Sequence, residues 1–232
     1  MPYRRLPKTD MARLKALHTL LNNNDIYMVR NRFIDWKDMG RAQQIHDRLR
    51  TACEQYRVNR AAQVRNARKV DPLLRKAIMY VSHFLQVLFM AVERGEIRRQ
   101  YLSLYGLEAD TMVLPNIKTT EGILEWGQKI IEGEQQRVKK GGRAIYNPTI
   151  GMVATHFDIF KSAYEAQMRL KKRTSDALER VSLLRPDADE VLLSLWNQIE
   201  KHYENEPPEV RFAECRKLGV VYYYRRNEKH LY

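Results

Sequence analysis

The sequence predicts an all-α protein of two diverged helical repeats, packed as antiparallel helix bundles, with a short extended C-terminal arm. Three observations predict it. Long segments carry apolar residues at helical spacing and run without proline as far as Asp71-Pro72 and Arg185-Pro186. A helix-start signature occurs twice, as Leu6-Pro7-Lys8-Thr9 and as Leu114-Pro115-Asn116-Ile117-Lys118-Thr119. In each, Pro restricts the preceding backbone and the Thr oxygen is placed to accept from an orphan N–H of the first turn. Landmarks then recur in one order: Arg32, Ile34 and Gly40 answer to Arg143, Ile145 and Gly151, Pro72 to Pro186, and the run from Ile97-Arg98 to Gly106 to that from Val210-Arg211 to Gly219. The expected repeats are residues 1–112 and 113–232.

In the first repeat, Leu14, Leu17, Leu20 and Leu21 share one face of a short helix over residues 10–22, and Asn22-Asn23-Asn24-Asp25 supplies turn residues. Residues 26–36 fit neither helical nor strand period and read as an extended or partly helical connector. A long helix is expected over residues 38–70, carried by Ile45, Leu49, Ala52, Cys53 and Tyr56 and ended by Asp71-Pro72. Pro72 suits the first turn of the next helix, residues 73–92, whose apolar residues lie nearly all round and predict burial on most sides. A short helix over 97–105 ends at Gly106, where the absence of Cβ admits positive φ.

The second repeat follows the same plan. A helix over 119–133 uses Ile123, Leu124, Trp126, Ile130 and Ile131, and Gly141-Gly142 marks a break. Asn147-Pro148-Thr149 opens a long helix through Phe157, Phe160, Tyr164 and Met168, closed by Arg185-Pro186. Leu192, Leu195, Trp196, Ile199 and Tyr203 carry the next helix, which stops before Pro207-Pro208, and a last short helix ends at Gly219. Val220 to Tyr224 alone has clear β propensity and needs a partner to form a strand.

Composition narrows the function classes. The chain has 232 residues and 44% hydrophobic content, enough for a core, and 41 Lys and Arg against 28 Asp and Glu give a net charge of +13. That excess favours anionic partners, with a well-solvated surface as the plain alternative. Cys53 and Cys215, far apart and each within a predicted helix, suggest neither a zinc cluster nor a disulfide framework. No apolar run follows Arg4-Arg5, so a secretory signal is not expected, and residues 77–92 contain Ser82, His83 and Gln86 and fall short of a membrane span. A cytoplasmic protein is the expectation.

The opening Met1-Pro2-Tyr3-Arg4-Arg5-Leu6-Pro7, with Thr9-Asp10, resembles that of a group of uncharacterised bacterial all-helical proteins. The resemblance implies a helical fold and supplies no catalytic or binding residue.

Hydrolytic and transfer chemistry needs a nucleophile with a base and an orienting group, or a metal with three or more ligands. His18, His46, His83, His156, His202 and His230 include no pair four residues apart around a Glu, and no Glu-x-x-His triplet of di-iron bundles occurs. No phosphate loop of the Walker type is present, and Gly141-Gly142-Arg143 behind Lys139-Lys140 lacks its strand and helix context. No cofactor or metal is expected. His83, in the most apolar helix, and His156, beside Phe157 and Phe160, are the candidates for a pocket between the halves; a histidine bonded to a neighbouring carbonyl is the plainer reading of both.

Basic patterning is the strongest chemical feature. Arg50, Arg57 and Arg68 lie seven and eleven residues apart, within a narrow sector of one helix, flanked by Arg60 and Arg65. Lys161 and Lys172 are also eleven apart, accompanied by Arg169, Lys171 and Arg173, with Arg137, Lys139, Lys140 and Arg143 expected in the preceding loop. Such faces suit a phosphate backbone and need no base-specific contact. The alternative is that Arg and Lys keep an exposed helix face wet. Between the repeats, Arg50 and Arg60 answer to Lys161 and Lys171, but Arg57 and Arg68 answer to Met168 and Glu179, so the recurrence supports the fold more than a shared site. Tyr222-Tyr223-Tyr224 before Arg225-Arg226 suits base stacking or, more plainly, covering a bundle end. The readings that follow are a non-enzymatic helical binding or scaffold protein, then sequence-independent nucleic-acid binding, then a small-ligand or enzyme pocket.

Overall fold

A computed structural model describes residues 3–23, 33–109 and 112–226. The element order is β1 (Tyr3–Arg4), α1 (Asp10–Leu21), α2 (Trp36–Glu93), a 3-10 helix η1 (Arg99–Tyr105), α3 (Thr120–Lys139), α4 (Ile150–His202), α5 (Pro208–Lys217) and β2 (Tyr222–Tyr223). The protein is all-α, with α2 and α4 antiparallel, and its only strands among the described residues are β1 and β2. The connector expected over residues 26–36 lies largely outside the described residues, as do Arg32 and His230.

Both expected caps form. Thr9 Oγ1 accepts from the Ala12 N–H at 3.2 Å and opens α1; Thr119 Oγ1 accepts from the Gly122 N–H at 3.0 Å and opens α3. Positive-φ glycines close the two short helices, Gly106 at φ 72° and Gly219 at φ 91°.

The prolines do not end helices. Pro72 lies inside α2 and Pro186 inside α4, each at the same distance from the helix's first residue, Trp36 or Ile150. An interior proline forfeits a hydrogen bond and costs about 3 kcal/mol. Both prolines face solvent, where water satisfies the orphaned carbonyl, while Val70 and Ala77 on one helix and Leu184 and Ala188 on the other are buried. Burial on both sides of the proline outweighs the lost bond. The helix expected to stop at Gly133 likewise continues to Lys139, because Gly133 packs under Tyr105, where a Cβ would stand 2.7 Å from the ring and 2.8 Å from the Leu104 carbonyl.

The chain forms two compact units. Unit 1 is Met1–Arg60 with Arg173–Tyr232, and unit 2 is Ala61–Lys172. Each therefore takes the first part of one long helix and the second part of the other, and each adds one Thr-capped helix and one short glycine-ended helix. These units cut across the two halves of the sequence.

Unit 1 is built on Leu17, Leu20, Leu49, Leu192, Leu195, Trp196 and Ile199, all fully buried. Polar contacts fix the register of α1 and α2 on α4. Arg13 meets Asp189, Arg185 meets Asp10, and the Asp38 carboxylate accepts from Ser194 Oγ at 2.7 Å and Gln198 Nε2 at 2.6 Å. The C-terminal arm gains its strand partner at the other end of the chain: Tyr3 pairs with Tyr223 and Arg4 with Tyr222, antiparallel. Tyr222 is buried and donates to Glu200 at 2.5 Å, and Arg4 donates to the same carboxylate at 2.9 Å.

Unit 2 is built on Phe84, Leu85, Leu88, Leu102, Tyr105, Ile123, Ile130, Val153, Phe157 and Phe160. Its α2 segment contains one 18-residue window long and apolar enough to cross a membrane by composition, 33% of it buried. Burial on most sides, expected from its all-round apolar sequence, is thus confined to one face: Val81, Phe84, Leu85 and Leu88 point inward, and Met79, His83, Gln86 and Met90 are exposed.

Candidate polyanion-binding surfaces

In α2 no residue from 50 to 69 is buried, and in α4 none from 161 to 176. Those of α2 hold Arg50, Arg57, Arg60, Arg65, Arg68 and Lys69 against Glu54; those of α4 hold Lys161, Arg169, Lys171, Lys172 and Arg173 against Glu165 and Asp176. A segment without buried side chains gives its helix no apolar anchor beyond half-buried contacts, and long cationic stems cover what apolar surface remains.

In unit 1, Asn59 Nδ2 donates to the Arg173 carbonyl at 3.2 Å and sets α2 beside α4. This brings Arg57 and Arg60 into the neighbourhood of Arg173. Arg60 donates weakly to Tyr56 Oη at 3.5 Å, and Arg50 approaches Asp47 at 3.8 Å. Arg50 and Arg57 also border an open groove of about 800 Å³ between α1 and α2, with Met11, Leu14, His18 and His46 on its walls. The two imidazoles are stacked with centroids 5.9 Å apart.

In unit 2, Asn66 Nδ2 plays the corresponding part, donating to Gln167 Oε1 at 3.0 Å and the Ala163 carbonyl at 3.4 Å. Arg65, Arg68, Lys69, Lys171 and Lys172 are exposed and form no ion pair among the described residues. Arg169 touches Glu165 only at 4.0 Å. Lys161 is half-buried, its ammonium 6.0 Å from the Phe157 ring centroid, and is less available than its neighbours.

Of the basic residues expected in the loop before α4, Arg137 and Lys139 belong instead to the last turn of α3, and Arg137 is buried. Its guanidinium donates to Glu134 through two bonds of 2.8 Å, to Tyr105 Oη at 3.0 Å and to the Arg143 carbonyl at 2.7 Å. Tyr105 in turn donates to Glu134. Burial, and then the Glu134 carboxylate, push the Tyr105 phenol far above its ordinary range. Arg137 thus ties η1, α3 and the 141–145 loop together. The Glu134 carboxylate, the Tyr105 hydroxyl and Nε and Nη2 of Arg137 are all engaged with one another or with the Arg143 carbonyl, as buried polar groups require.

Neither candidate histidine lines the two grooves beside α1. His83 is exposed on α2, and His156 is half-buried, stacked on Tyr80 with centroids 4.0 Å apart and 17° between planes. Among the described residues no group of three His, Cys, Asp or Glu side chains converges as a metal site. Cys215 is buried and Cys53 half-buried, and burial raises the pKa of both thiols, which keeps them protonated. Sequence reading passed over Arg5, Lys8, Lys15 and Arg216, which the fold gathers around the β1–β2 arm; they are scattered over the chain and no local pattern joins them.

No family model, no curated protein and no solved structure matches this chain.

Proposed function

We propose that this chain is a non-enzymatic helical binding protein whose ligand is a nucleic acid or a similar polyanion, held by its phosphates without regard to sequence. The observation that carries this reading is the exposure of Arg57, Arg65, Arg68, Lys69, Lys171 and Lys172 on segments with no buried residue and with no carboxylate partner among the described residues. Cations not neutralised within the fold are the groups that release counterions on binding a phosphate backbone. The half-buried contacts beneath them suit a surface that grips by charge and not by an apolar pocket.

The apolar window of α2 is read as a core helix, supported by the full burial of Phe84, Leu85 and Leu88, and a cytoplasmic setting accompanies this reading. The matched helix caps, interior prolines and glycine stops support descent of the two halves from one duplicated unit.

Fluorescence anisotropy with labelled mixed-sequence DNA and RNA, repeated across a salt series, tests the function. Log affinity should fall linearly with log salt, with a slope near one per phosphate neutralised, and little difference between unrelated sequences. Replacing Arg65 and Arg68 by Gln should lower that slope by roughly two for duplex DNA. No binding at low salt would refute the reading.

A further inference from the structure

A separate pocket of about 580 Å³ opens in unit 1 between α1 and the paired chain ends. That volume falls within the roughly 300–1,000 Å³ of small-ligand sites. Arg5, Lys8, Lys15 and Arg216 line it, and no Asp or Glu does. Asp10, the nearest carboxylate in sequence, is held by Arg185 at 2.8 and 2.9 Å. Arg5, Lys8 and Lys15 form no ion pair among the described residues, and cations around one concavity repel one another unless an anion joins them.

The pocket also has an aromatic wall. Tyr223 is 44% exposed; its ring lies 6.2 Å from the Tyr3 ring, with the Arg5 guanidinium over it at 5.7 Å from the centroid. Its neighbour Tyr222 is buried with its hydroxyl on Glu200, so of the two tyrosines of β2 only Tyr223 offers a face. The fold places this wall through Gly219: φ is +91°, and a Cβ there would stand 2.9 Å from the Ala16 carbonyl, so a glycine lets the arm lie against α1.

We propose that this pocket binds a nucleotide, its phosphates among Arg5, Lys8 and Lys15 and its base against Tyr223. Charge without a carboxylate selects the phosphates, and an exposed ring with a cation beside it selects a planar base. The nucleotide comes either free or as the phosphorylated end of a strand. The site is built from different residues than the α2 and α4 surfaces and does not depend on the polyanion reading.

Calorimetric titration of the full chain at low salt tests it, using ATP, inorganic triphosphate, adenosine, and a short oligonucleotide with and without a 5′-phosphate. Lys15→Gln and Lys8→Gln, both at exposed positions, should each weaken ATP roughly tenfold, as expected for loss of one charge-assisted bond. Tyr223→Ala should weaken ATP and leave inorganic triphosphate unchanged. The Arg65→Gln/Arg68→Gln protein should bind ATP as the parent does. Where ATP does not bind, oligonucleotide binding that weakens on removal of the 5′-phosphate, and again in Lys15→Gln, also supports the site and identifies a strand end as the source. The proposal is overturned if ATP does not bind and removal of the 5′-phosphate leaves strand binding unchanged, if the Lys variants bind unchanged, or if Tyr223→Ala weakens nothing. Circular dichroism of each variant separates lost binding from lost folding.

Discussion

Arg13 and Asp189, far apart in sequence, meet through two parallel hydrogen bonds of 2.8 Å, one from Nε and one from Nη2. The fork matches the carboxylate edge, and Arg13 is buried on α1. Breaking the fork leaves a buried cation with only the Lys8 carbonyl and Asp10 nearby. Asp189→Asn should therefore destabilise unit 1 by about 2 kcal/mol, read as a lower urea midpoint at unchanged slope. A double-mutant cycle with Arg13→Met should return a coupling energy well above that of Arg41 with Glu190, an exposed pair at 3.2 Å.

Acid should act through Asp10. The hydrogen bond from Arg185 holds its carboxyl below the ordinary range, against the opposing effect of burial. Because the folded pKa is depressed, this contribution is present above about pH 3.9, the unfolded value, and is lost as pH falls through the lower folded value. Denaturation series between pH 2 and 7 should show the decline at the acid end, and Asp10→Asn should flatten it while lowering stability at neutral pH.

Alkali should act through Tyr105 and Tyr222, whose phenols are raised by burial first and by Glu134 and Glu200 next. A raised folded pKa means that stability is complete below about pH 10 and falls as pH rises past it, because the unfolded chain ionises first. Tyr105→Phe with Tyr222→Phe should cost about 3 kcal/mol at pH 7 for three lost bonds and remove most of the alkaline decline. The tyrosinate absorbance of the parent should appear only with unfolding for these two residues.

Glycine to alanine should have opposite signs at two helical positions. At Gly40, in the first turns of α2, nothing lies within 4 Å of a new Cβ, so alanine should stabilise by about 0.5–1 kcal/mol. At Gly133 the new Cβ meets the Leu104 carbonyl at 2.8 Å and the Tyr105 ring at 2.7 Å. Backbone cannot yield as a flexible side chain does, and the strain of about 1–3 kcal/mol outweighs the propensity gain. Melting temperatures should rise for Gly40→Ala and fall for Gly133→Ala.

Short-range chemistry was legible in the chain itself. Thr9 and Thr119 cap because hydroxyl, backbone and first turn lie within three residues, and helical spacing of apolar side chains marked nearly every helix, so the all-α class followed from periodicity. Arg50, Arg57, Arg60, Arg65 and Arg68 were found by the same spacing, and their exposure agrees with it.

Tertiary structure decided what depends on distant partners. A proline's local cost argues for a break at Pro72 and Pro186, yet packing on both sides carries the helices through. Arg137 looked like one more surface cation until Glu134 and Tyr105 closed around it. The gathering of Arg5, Lys8, Lys15 and Arg216, and the exchange of long-helix segments between the two units, arise from contacts between residues far apart in sequence. Local propensity acts over one helical turn, whereas these arrangements are selected by burial and charge pairing summed over the folded chain.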